Sequence, residues 1–195
     1  MMSADFQGAL RLMLFFILSL IIAYALGSLL FDRIAIKAYE FITSDEIEPT
    51  TNSSLALLRS PHWPIGLAAL IGDILKGIIA IAVAIILGLH GFWLMLSGLA
   101  VIVGHHYSAW FKFKGSRDFS ANLGVYVGLA IGVAFFAALV YAFFVYKRLS
   151  LARGALASAV VAIVLVGVFG YGLAYILGFA LMAALTYWVH LGKAP

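Results

Sequence analysis

Apolar runs cover residues 12–31, 65–89, 92–103, 119–146, 155–169 and 171–189 of this chain. A helix that crosses a bilayer takes about 20 apolar residues, so the chain has room for roughly six to eight crossings with short loops. Hydrophobic types make up 65% of the 195 residues and charged types 10%, against about 45–50% and about 25% in soluble domains. These values exclude a soluble globular domain and a disordered or fibrous chain. The expected fold is all-α, a polytopic membrane helix bundle forming a single integral membrane domain over residues 1–195, with no separate soluble domain. There are no cysteines, which removes disulfides, thiolate nucleophiles and iron–sulfur clusters. The net charge of +4 fits loops lying on anionic lipid. No basic face stands on a soluble module, so nucleic acid is not an expected partner.

Each of the few charges is either a loop anchor or a functional suspect. Only Asp5 and Arg11 precede the first run, which continues past Ala23-Tyr24-Ala25, so an uncleaved first span is expected. Residues 32–64 and 105–118 read as two polar loops. Lys112, Lys114 and Arg117 assign the second loop to the cytoplasm by the positive-inside rule. The run 119–146 is long for one crossing. One crossing would put Lys147, Arg148 and Arg153 outside, whereas two short segments return them to the cytoplasm. The charge pattern therefore favours about seven membrane segments with the N-terminus outside and both loops cytoplasmic, with six segments as the alternative. Two helices of about 13 residues reach about 20 Å each, so they must tilt in a thinned region or be partly re-entrant. Gly124, Gly128 and Gly132 fall four apart, a packing pattern for close helices.

Two places concentrate chemistry. Asp73 and Lys76, at i and i+3, share a helix face inside an apolar run and can pair, with Gly77 beside them. Residues 104–119 hold His105, His106, Lys112, Lys114, Gly115, Ser116, Arg117 and Asp118. A turn at Gly115-Ser116 between Lys114 and Arg117 can aim backbone N–H groups and two cations at one phosphate. The competing reading is an interfacial loop anchored by aromatics and lysines. Adjacent His105 and His106 point in different directions, and no carboxylate stands at a zinc-motif spacing, so no metal is expected. His62, His90 and His190 are expected at turns facing water or headgroups.

These pieces, in this order, resemble the bacterial acyl-phosphate:glycerol-3-phosphate acyltransferases, the PlsY family, over roughly residues 15–190. Gly27-Ser28 matches that family's Gly-Ser late in the first span. Asp73-Ile74-Leu75-Lys76-Gly77 resembles its D-x-x-K-G. Gly104-His105 through Gly115 resembles its G-H-x-x-P-x-F-x-x-F-K-G-G-K-G-V-A. Ser108 stands where the family has proline, Ser116 and Asp118 where it has glycines, Arg117 for a lysine and Ser120 for an alanine. The family's first-loop motif, G-S-G-N-x-G-x-T-N-x-x-R, has no clear counterpart. Counting back from Asp73 puts Arg59 on the arginine and residues 48–54, which lack glycine, on the rest. A shifted register puts Thr51-Asn52 on the Thr-Asn, and Ser53 and Ser54 are the stand-ins for the serine.

The resemblance implies transfer of a fatty acyl group from acyl-phosphate to the 1-hydroxyl of glycerol 3-phosphate, giving lysophosphatidate in phospholipid synthesis at the bacterial plasma membrane. It implies no cofactor and no metal. The implied partners are glycerol 3-phosphate, acyl-phosphate and membrane lipid. Arg59, Asp73, His105, Ser53 and Ser54 would carry catalysis, and Lys76, Lys114, Gly115, Ser116 and Arg117 would bind phosphate. The alternative is a catalytically impaired descendant that binds a lipid or phosphorylated ligand. Glu48 and Asp118, placed where that family has glycines, are expected to repel an anion.

Overall fold

The computed structural model describes residues 4–44, 46–47 and 54–191. Glu48, Thr51, Asn52 and Ser53 lie outside the described residues. Among the described residues there are nine α-helices: α1 (Ala4–Ser28), α2 (Phe31–Thr43), α3 (Ser54–Leu58), α4 (Trp63–Ile86), α5 (Gly91–His106), α6 (Ser120–Leu129), α7 (Ile131–Tyr146), α8 (Leu151–Val168) and α9 (Leu173–Leu191), with one 3-10 turn at Ala109–Phe111. Five stretches are long and apolar enough to cross a membrane: Phe6–Ser28, Trp63–Ile86, Gly91–Phe111, Leu151–Val168 and Leu173–His190. Pro64 sits in the first turn of α4, where its missing N–H is no loss. Gly170 and Gly172, both at positive φ, separate α8 from α9. Rows of large apolar side chains such as Ile21, Ile79, Phe135, Val164 and Leu181 remain exposed on the bundle surface, as a lipid solvent allows.

The first polar stretch is more ordered than a loop. The charges Asp32, Arg33, Lys37 and Glu40 are interleaved with Phe31, Ile34, Ala35 and Ile36 and wind into amphipathic α2. Its Phe31 ring packs where a Cβ on Gly72 of α4 would stand. It ends at Ser44, whose left-handed backbone directs its N–H to the Glu40 carbonyl.

The run 119–146 reverses inside the bundle. Helix α6 has 10 residues and α7 has 16, rather than two equal halves. Ala130, at φ −160° and ψ 86°, leaves the helical region between them. Both polar groups of Ala130 stay bonded across the break: its N–H reaches the Tyr126 carbonyl, and its own carbonyl accepts from Ala134. The Phe119 and Tyr141 rings lie 5.2 Å apart, so α7 runs back along α6 to the end of the bundle from which α6 started. Five long spans, the shorter apolar helix α7 and the short α6 before it make a segment count roughly consistent with the six or seven expected.

Close crossings hold this arrangement. A Cβ on Gly124 of α6 would overlap the Ile74 carbonyl of α4, and one on Gly77 would lie 2.6 Å from the Val125 nitrogen. Gly128 packs on Ile81 in the same interface. Gly132, the third of the expected stripe, falls beyond the break in α7 and meets only the Phe169 ring.

Candidate active site

The middle of α4, the end of α5, the start of α3 and the start of α6 meet at one buried cluster. Asp73 and Lys76 pair on α4 with Oδ1 and Nζ 2.6 Å apart. The other two ammonium protons go to the Leu29 carbonyl at 2.5 Å and to His105 Nδ1 at 3.0 Å. An ammonium only donates, so Nδ1 is the acceptor and the ring N–H that donates is on Nε2. That N–H donates to Asp118 Oδ1 at 3.1 Å.

Asp118 is the most heavily bonded member. Its Oδ1 also accepts from the Ser120 N–H at 3.1 Å and from the Ser120 hydroxyl. Its Oδ2 accepts from the Ser54 hydroxyl at 2.6 Å, the Ser54 N–H at 3.1 Å and the Ser116 hydroxyl at 3.3 Å. Burial alone would push this carboxyl up. The hydrogen bonds from His105, Ser120 and Ser54 outweigh burial and hold it well below the ordinary carboxylate range. The expectation that Asp118 faces and repels an anion is therefore corrected: its side chain turns inward, beneath the basic turn, where the Ser116 hydroxyl reaches it. Asp73, His105 and Asp118 bring ligand atoms within 4.8 Å of one another, as a metal site would. The Lys76 ammonium stands among them and supplies positive charge there.

The turn above the cluster is fixed from both sides. The Gly115 and Ser116 N–H groups bond the carbonyls of His106 and His105 at 3.1 and 3.0 Å. The His106 ring Nδ1–H returns a bond to the Ser116 carbonyl at 2.7 Å. A Cβ at 115 would strike both histidine carbonyls, so glycine is required there. The expected ring of N–H donors aimed at a phosphate is thus turned inward, and the exposed side chains of Lys112, Lys114 and Arg117 carry the positive charge outward. Lys112 and Phe113 both take positive φ, 55° and 59°, a rare conformation for residues with a Cβ. On the other side, the Ser108 hydroxyl donates to the Ser28 carbonyl at 2.5 Å, a bond that proline could not make. The Trp110 indole donates to the Ala25 carbonyl at 3.2 Å and the Tyr24 hydroxyl to the Tyr107 carbonyl at 2.9 Å.

Of the residues singled out from sequence, Ser54, Asp73, Lys76 and His105 meet in the cluster, and Lys114, Gly115, Ser116 and Arg117 form the turn over it. Lys76 is buried and directs its protons into the protein. Arg59 is exposed and donates to the Val145 carbonyl at 3.1 Å, at the end of α7. Ser53 lies outside the described residues. His190 is on the last turn of α9, its Nδ1–H bonded to the Thr186 carbonyl, and its ring is 6.4 Å from that of His106. Sequence reasoning missed Asp118 as a bonded partner, and it missed Asp32. The latter is buried beside the cluster, and burial first, then Asp118 and Asp73, raise its carboxyl above the ordinary value. The interleaving of charge and apolar residues over 31–42 was the available signal for α2, and hence for Asp32.

The family model for glycerol-3-phosphate acyltransferase matches residues 17–194. The glycerol-3-phosphate acyltransferase of Coxiella burnetii (strain CbuG_Q212) is 34% identical over 121 residues, which are 62% of this chain and 63% of that protein. That of Geobacter metallireducens is 36% identical over 121 residues, 60% of each chain. That of Lawsonia intracellularis is 27% identical over 174 residues, 88% of this chain and 86% of the relative. The crystal structure of PlsY (YgiH), an integral membrane glycerol 3-phosphate acyltransferase, superposes with a TM-score of 0.77 and 25% identity in its lysphosphatidic acid and glycerol 3-phosphate forms, covering 90% of this chain and 88% of that one. With the family match running from the first span to the last helix of the same bundle, the chain belongs to the glycerol-3-phosphate acyltransferase family.

Proposed function

We propose that this multi-pass bacterial membrane protein transfers a fatty acyl group from acyl-phosphate to the 1-hydroxyl of glycerol 3-phosphate, giving lysophosphatidate. The carrying observation is the exposed Lys112–Arg117 turn, locked onto the α5 carbonyls over a buried, hydrogen-bonded cluster. Both substrates are phosphate-bearing anions, and the acyl chain of one partitions into lipid. In the transfer the glycerol oxygen bonds the acyl carbon, the acyl–oxygen bond to phosphate breaks, and the hydroxyl proton leaves with the phosphate. The anhydride is already activated, so holding the two reactants together supplies much of the acceleration, roughly 7–11 kcal/mol at best.

In this reading Lys114 and Arg117 hold phosphate, and Gly115 and Ser116 fix the turn that presents them. Ser54, Asp73, Lys76 and His105 brace the turn from beneath. Both loops face the cytoplasm, where soluble glycerol 3-phosphate is met, and the N-terminus lies outside. One observation favours a second reading, a descendant that binds such a ligand without turnover: the Ser54 hydroxyl is buried and already donates to Asp118.

The test is direct. The purified protein receives acyl-phosphate and labelled glycerol 3-phosphate, and lysophosphatidate is measured. A hydrogen bond to a charged group is worth about 1.5–3 kcal/mol, so Lys114→Ala is expected to lower kcat/KM roughly ten- to hundredfold. A parent rate no higher than that of Lys114→Ala defeats the transferase reading. Retained binding of glycerol 3-phosphate would then establish the second one.

A further inference from the structure

Three of the residues that depart from the resembling family, Ser116, Asp118 and Ser120, converge in space, and a fourth polar group joins them. The carboxylate of Asp118 receives the hydroxyls of Ser116 and Ser120, which are its neighbours in sequence, and both the hydroxyl and the N–H of Ser54, 64 positions away. All four residues are buried. Ser54 begins α3, a helix of five residues packed against α4, and a Cβ on Gly66 of α4 would strike the backbone of Leu58. An element this short has too few internal hydrogen bonds to hold itself. The tie to Asp118 is its polar attachment to the basic turn. Scattered erosion of a motif would leave orphaned polar atoms, whereas here each hydroxyl finds the same carboxylate.

We propose that Asp118 is a positioning residue: its carboxylate clasps the first polar loop, through Ser54, to the Lys112–Arg117 turn, and so sets the geometry in which that turn meets the phosphate of glycerol 3-phosphate. The clasp replaces backbone wrapping by glycines with a side-chain anchor. Its effect on the substrate rests on the acyltransferase reading, while the clasp itself is testable without activity.

The chain has no cysteine, so a single Leu55→Cys, at a residue 3% exposed next to Ser54, reports whether α3 stays seated. In the full-length protein in detergent, Asp118→Asn is expected to raise the maleimide labelling rate of this cysteine at least about tenfold, as local opening does. Ser54→Ala, which keeps the N–H bond and is the milder change, is expected to raise it less. A monodisperse elution profile separates local opening from misfolding. Labelling that is unchanged in both variants overturns the clasp, whatever the activity.

The second arm reads the site. Asp118→Asn and Ser54→Ala should each raise KM for glycerol 3-phosphate, by about tenfold and about threefold, with kcat held within about threefold. The double variant should be no worse than Asp118→Asn alone, because both break one contact. A fall in kcat with KM unchanged, or fully additive losses, overturns the positioning role. If the parent shows no turnover, the acyltransferase reading falls alone. The same variants are then compared by the dissociation constant for glycerol 3-phosphate, and equal constants reject the role.

Discussion

Asp32 and Asp118 are both buried carboxyls, and their surroundings drive them in opposite directions. Asp118 accepts hydrogen bonds from His105, Ser54, Ser116 and Ser120, so its folded value is depressed. Its contribution to stability is present above its unfolded value and is lost only as pH falls through the folded one. Asp32 accepts one bond, from the Arg33 N–H, leaves Oδ2 without a partner, and faces Asp118 and Asp73 as well as His105. Its folded value is raised above the ordinary 3.8. Its contribution is therefore fully present below that value and is lost as pH rises through the folded one. Asp32→Asn should melt above the parent at about pH 7.5, with the gap closing toward about pH 4. A constant gap across that range would show that Asp32 carries no such proton. The pairing of Asp73 with Lys76 was legible from their spacing alone, because i and i+3 share a helix face. The inward turn of Asp118 was not, because the partner that decides it, Ser54, is remote in sequence.

Among the helices, the α4–α6 interface is a close crossing that two glycines set from opposite sides. Gly124→Ala puts a methyl group against the Ile74 carbonyl, which cannot yield without shifting α4. A loss of about 1–3 kcal/mol is expected, read as a lower melting temperature. Gly167→Ala in α8 is the contrast, since nothing lies within 4 Å of its Cβ position. There alanine should stabilise by about 0.5–1 kcal/mol through backbone entropy alone. The regular spacing of Gly124 and Gly128 announced a helix contact in the sequence. The end of α6 did not announce itself, because Ala130 is neither glycine nor proline and its conformation comes from what packs around it. The first polar stretch misled for another reason: a count of charges reads α2 as loop, and only their phase against Phe31, Ile34 and Ala35 reveals the helix.

For the molecule as a whole, the reversal at Ala130 decides where the later charges lie. Arg59 bonds the Val145 carbonyl, so the end of α7 shares the end of the bundle that holds the basic turn. A cysteine at Lys112 and one at Arg148, introduced singly, should react with an impermeant reagent from the same side of sealed vesicles. Reaction from opposite sides would restore the six-segment topology. The reversal also ties the protein to the lipids around it. By length α6 reaches about 15 Å and α7 about 24 Å, against a hydrocarbon core of about 30 Å. Ile131, Phe135 and Phe136 of α7 are exposed on the bundle surface, so the far leaflet is expected to dip to meet them. That elastic deformation costs fractions of a kcal/mol per Å and grows with the length of the surrounding acyl chains. Reconstituted into a series of phosphatidylcholines, the protein should melt highest in the shorter-chain members, and a flat series would exclude the effect. Under the proposed acyl transfer, the protein would then sense, as membrane thickness, the chain lengths its own products help to set.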